Sequence, residues 1–118
     1  MPNHPVLVVD DDPAIRDAVR DLLEDQGIPV ETATDGQDAL EKVTQRVPRL
    51  VLLDMRMPVM DGWGFAAAMR DAGIAAPVVV MTAAADARRW AEEIGASGFV
   101  AKPFAIAELI GAVERHSS

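Results

Sequence analysis

The chain has 118 residues, half of them apolar, enough for one packed core without metal or disulfide staples. It contains no cysteine, which excludes a thiolate metal site, a disulfide framework and a cysteine nucleophile. Nineteen acidic against 11 basic residues give a formal charge of −8, so the surface repels phosphate backbones and anionic lipids, and no direct nucleic-acid or membrane binding is expected.

The opening MPNHPVLVVDDD has no basic leader, and its apolar run is too short for a signal peptide or a membrane span, so a cytoplasmic location is expected. Within it, Val6–Val9 reads as a buried strand. Asp12 can cap a first helix that has Pro13 in its first turn, a stripe of Ile15, Ala18, Val19, Leu22 and Leu23, and a stop at Gly27. Val30-Glu31-Thr32-Ala33 alternates apolar and polar, as an edge strand does. After the Asp35-Gly36 turn signal, Ala39, Leu40, Val43 and Val47 mark a second helix, and Leu50–Leu53 a third strand. Asp61-Gly62 is another turn signal, followed by a helical stripe of Phe65, Ala66 and Met69 and by the strand Val78–Met81. Ala87, Ala91 and Ile94 form the fourth helix, which Gly95 ends; Phe99–Ala101 is the fifth strand. Ile106, Leu109, Ile110 and Val113 form the last helix, with no capping oxygen at Ala105, and His116–Ser118 read as a frayed end. Five β-α repeats with short connections predict an α/β fold over 1–118 as a single domain, a parallel sheet with helices on both faces.

In such sheets ligands bind beyond the carboxyl ends of the strands. The first strand ends in Asp10-Asp11, the third in Asp54, the fourth in Thr82 and the fifth in Lys102-Pro103. With strand order 2-1-3-4-5, Asp10, Asp11 and Asp54 converge. Each carboxylate pair roughly 5 Å apart would then cost about 3 kcal/mol at an effective dielectric near 20, so the acids need a cation or raised pKa values. Few protein ligands, all of them oxygens, suit Mg²⁺ (or Mn²⁺) shared with a phosphoryl group. One carboxylate could act as nucleophile while Lys102 neutralises charge and Thr82 donates a hydroxyl.

The runs VLVVDDDP, LVLLDMRMPVMDG, VVVMTA and FVAKPF, in that order across nearly the whole chain, resemble the motifs of response-regulator receiver domains of two-component phosphorelay signalling. The resemblance implies a doubly wound, flavodoxin-like (βα)5 sandwich with Asp54 as phosphoacceptor. It makes Asp11 and Asp54 direct Mg²⁺ ligands, helped by Asp10 and the Arg56 carbonyl. Thr82 and Lys102 are implied to contact the phosphoryl group, with Lys102-Pro103 a cis peptide. Phe99 falls where the family carries an aromatic ring that turns inward on activation, here without a hydroxyl. Arg56 and Ala84 occupy positions that tune phosphate lifetime, and we expect Arg56 to shade the phosphoryl group while Ala84 leaves the water path open.

The expected function is a phosphorylation-dependent switch, charged by a histidine kinase or histidine phosphotransfer domain, that acts as no enzyme beyond its own phosphotransfer and autodephosphorylation. Its expected readout is the face of the fourth helix, fifth strand and fifth helix, including Phe99 and Trp90, on a monomer or a phosphorylation-dependent homodimer. Trp63 projects off its helix stripe, so it could serve a partner or be a partly covered surface aromatic. Met55, Met57 and Met60 are read as packing, since hard-cation chemistry does not choose sulfur. Two alternatives use related parts. A small aspartyl-phosphate-forming phosphatase would need a second acid two residues after its nucleophile on the first strand. A flavin or nucleotide module would need glycine where Asp10-Asp11-Asp12 stand.

Overall fold

The computed structural model describes residues 4–117. Its strands are β1 Val6–Val9, β2 Val30–Ala33, β3 Leu50–Asp54, β4 Val78–Ala83 and β5 Gly98–Lys102. They alternate with helices α1 Pro13–Asp25, α2 Gly36–Gln45, α3 Gly62–Asp71, α4 Ala84–Ile94 and α5 Ile106–His116. The sheet is entirely parallel in the order β2-β1-β3-β4-β5, the doubly wound (βα)5 arrangement expected.

Strand side chains alternate between faces, so each apolar run feeds two cores. Leu7, Val9, Val51, Leu53 and Val80 meet Ala39 and Val43 of α2, Phe65 and Met69 of α3, and Ala91 of α4. Val6, Val8, Leu50, Leu52 and Met81 meet Val19 and Leu23 of α1 and Leu109 and Val113 of α5. A strand buried on both faces has no polar alternation to show, which is why these runs are continuous in sequence.

The helix starts follow the capping chemistry of their first residues. Asp12 accepts from the Ala14 amide at 2.9 Å, Asp35 from Asp38 at 2.8 Å and Asp61 from Gly64 at 2.8 Å. Asp35 and Asp61 are thus helix caps as well as turn residues. The glycines beside them answer a separate need. A Cβ on Gly62 would lie 2.8 Å from the Met55 Cα, and one on Gly36 would strike the Met60 carbonyl oxygen. Together these contacts hold the β3–α3 connection against the starts of α2 and α3.

Two boundaries differ from expectation. Helix α2 ends at Gln45, so Val47 belongs to the connector and is 40% exposed; the residue before a proline, here Pro48, is biased away from helical backbone. At the other end α5 runs through His116, and the Ser117 hydroxyl donates to the Val113 carbonyl at 2.6 Å; Ser118 lies outside the described residues.

Candidate functional site

Sheet register builds the site. Val9 pairs with Leu53, so Asp10 and Asp54 leave neighbouring strands side by side; Asp54 pairs with Met81, one residue before Thr82, and Ala83 pairs with Lys102. Carboxylate oxygens of Asp10, Asp11 and Asp54 lie within 4.8 Å of one another. Asp10, Asp54 and Thr82 are buried while Asp11 is exposed at the rim.

Asp10 is doubly held. One carboxylate oxygen accepts from Lys102 Nζ at 2.9 Å, the other from the Asp12 amide at 3.0 Å, and Arg16 donates to the Asp10 carbonyl at 3.0 Å. Lys102 Nζ also lies 3.6 Å from Asp54 Oδ1, bridging the two buried acids, and the Lys102–Pro103 peptide is cis. Burial pushes the Asp54 carboxyl up to about 6; Lys102 opposes this, while the charges of Asp10 and Asp11 and a hydrogen bond to Asp11 add to it. One lysine therefore does not compensate three acids. Three hard carboxylate donors on one small patch fit an oxygen-preferring divalent cation and are a poor match for a soft metal.

Around this centre the side chains differ partly from expectation. Met55 and Met57 are buried and Met60 packs against the core, as read from sequence. Phe99 is 42% exposed, with the Arg88 guanidinium 5.8 Å from its ring centroid. Trp90 is only 7% exposed, so it is a core residue and not part of a contact face; α3 packs over it, and the Trp63 ring meets it edge-on at 4.9 Å between centroids. Trp63 Nε1 donates to Glu93 at 2.9 Å. The Arg56 guanidinium, expected over the phosphoryl group, lies on Trp90, 5.0 Å from the ring centroid. This pairing has no local signal, because it joins a loop residue to a helix 34 positions further along and depends on how α3 and α4 pack.

The family profile of the response regulator receiver domain matches residues 6–114. The chain belongs to this family, and its fold and acidic pocket are those of a receiver. Response regulator MprA of Mycolicibacterium vanbaalenii is 38% identical over 107 residues, 89% of this chain and 46% of that protein. The receiver domain of NtrX from Brucella abortus superposes with a TM-score of 0.85 at 35% identity, covering 93% of this chain and 95% of that one. The chemotaxis response regulator CheY4 of Vibrio cholerae gives 0.85 at 34%, covering 95% and 97%. The chain spans about half the length of the curated relatives it matches. Receivers are signalling domains that bind Mg²⁺ in an acidic pocket, and the phosphatase alternative is not favoured. Among the described residues, no helix is long and apolar enough to cross a membrane.

Proposed function

We propose that this chain is a cytoplasmic phosphorylation switch, a single domain over 1–118, that accepts a phosphoryl group on Asp54 from the phosphohistidine of a kinase or phosphotransfer domain. The observation that supports it best is the convergence of Asp10, Asp11 and Asp54 with Lys102 Nζ between the two buried acids. Asp11 and Asp54, with Asp10 assisting and the Arg56 carbonyl, would hold Mg²⁺ or Mn²⁺. When bound, the ion supplies charge screening between these acids and the incoming phosphoryl oxygens.

In the transfer an Asp54 oxygen attacks phosphorus, the P–N bond of the donor breaks, and the departing imidazole takes up a proton from solvent. Lys102 keeps Asp10 paired beforehand and afterwards donates to a phosphoryl oxygen, as does the Thr82 hydroxyl. Thr82 sits on β4 directly before α4, so drawing it toward phosphate moves the β4–α4 junction, and Phe99 on the neighbouring strand turns inward. The readout is the face of α4, β5 and α5, centred on exposed Phe99, with a downstream protein or a second copy as partner.

The test is incubation with Mg²⁺ and acetyl phosphate, followed by mass measurement. Wild type gains one phosphoryl mass and Asp54→Ala none; equal labelling of both would overturn the assignment. A beryllofluoride adduct then serves as the active form in a partner screen.

A further inference from the structure

Arg56 leaves the chain two residues beyond Asp54, on the loop that begins the site, yet its charged end is carried to another element. The guanidinium lies over the ring of Trp90, which is buried six residues into α4, about 9 Å along the helix from its start beside Thr82. Two further contacts meet that ring, one of them itself anchored by a hydrogen bond. Trp63 packs against it edge-on, Glu93 accepts from the Trp63 indole at 2.9 Å, and Arg89, paired to Asp86 at 2.6 Å, lies 5.9 Å from its centroid. Trp90 is thus a buried aromatic platform, and Arg56 is its exposed partner.

We infer that Trp90 is a positioning residue for the switch: by stacking Arg56 it holds a long cationic side chain off the phosphoryl pocket and so sets how quickly Asp54 is dephosphorylated. The inference rests on Asp54 being the phosphoacceptor. In the hydrolysis water adds to phosphorus and the P–O bond to Asp54 breaks. The aspartate leaves as carboxylate, and inorganic phosphate departs with one proton released to solvent. The incoming water needs an open line of approach. Ala84, the first residue of α4, is exposed and offers only a methyl, whereas exposed Arg56 has the length to cover such an approach. Only two residues beyond Asp54, an unstacked Arg56 would be drawn by its charge toward a phosphoryl group there, and its bulk would block water. Stacking of a cation on an indole biases such a choice by about two- to fivefold at an exposed site.

The test measures loss of label after acetyl phosphate is removed from Mg²⁺-loaded protein. Trp90→Leu is expected to lose its phosphoryl group about two- to fivefold more slowly than wild type, and Trp90→Phe, which keeps an aromatic ring and part of the π face at that position, by an intermediate factor. In an Arg56→Ala background the same Trp90 changes are expected to have no effect relative to Arg56→Ala alone. Circular dichroism and urea midpoints identify folded variants; if Trp90→Leu does not fold, Trp90→Phe carries the comparison. Unchanged decay in the Trp90 variants, or equal slowing with and without Arg56, would overturn the role of Trp90 while leaving Asp54 as acceptor. Absence of label on wild type would overturn the acceptor reading and this one with it.

Discussion

Replacing Asp54 by asparagine should stabilise the metal-free protein, and by an amount that depends on pH. Burial, with the charges of Asp10 and Asp11, raises the Asp54 carboxyl to about 6 from 3.8, against the pull of Lys102. A group whose folded pKa is raised favours folding below its unfolded value, and that contribution is lost as pH rises through the folded value. The window here runs from about pH 4 to about pH 7. At pH 7.5 the ionised carboxylate costs the fold about 3 kcal/mol, two pKa units at 1.36 kcal/mol each; at pH 4 it costs under about 1. An asparagine of the same shape removes this cost, so in EDTA Asp54→Asn is expected to exceed wild type by about 2–3 kcal/mol at pH 7.5. Near pH 4 the gain falls below about 1 kcal/mol, and millimolar Mg²⁺ narrows the gap at neutral pH by stabilising wild type. Urea unfolding followed by circular dichroism, with matched slopes for the two proteins, measures both differences. A gain that does not change with pH, or a variant less stable than wild type at pH 7.5, would refute the idea that the acidic pocket is strained when no cation fills it.

Other consequences follow from single contacts. Burial acts to raise the Asp38 carboxyl, but the Thr34 amide, Lys42 and the Thr34 hydroxyl outweigh it, so the net shift is downward. Its support of α2 is therefore present above 3.8 and lost as pH falls through its depressed folded value; Asp38→Asn should cost roughly 0.5–1 kcal/mol at pH 7 and progressively less as the medium is acidified through that value, read from urea midpoints. Val59 has φ of 70° and is 82% exposed, a left-handed conformation that a β-branched residue resists, so Val59→Gly should stabilise by about 1 kcal/mol in the same assay. Gly62→Ala should destabilise by roughly 1–3 kcal/mol, since the new methyl meets Met55 backbone that cannot retreat; a neutral result in thermal melts would contradict that packing.

The fold was legible because each strand is a continuous apolar run and each helix a stripe, and because a parallel β-α alternation leaves few topologies. The acids were legible for a related reason: strand ends face one edge, so position along the chain translates directly into position in space, and Asp10, Asp54, Thr82 and Lys102 stand on that edge as expected. Lateral packing was not legible. Trp90 borders the helical stripe of α4 in projection and looks half exposed, yet Trp63 from α3 covers it, and that contact is set by the spacing between two helices. The destination of Arg56 followed the same hidden variable. The end of α2 was misread because Val47 continues the stripe, whereas backbone sterics at Pro48 outweighed the pattern.

The three consecutive aspartates after β1 divide their labour. Asp10 is locked between Lys102 and an amide, and Asp12 is spent on starting α1, which leaves Asp11 at the rim with neither duty. Residue 11 is thus a dial at the rim of the pocket: exchanges there should retune which ion is preferred, visible in titrations with Mg²⁺ and Mn²⁺, and removing its charge should also ease the repulsion felt by Asp54 when no cation is bound.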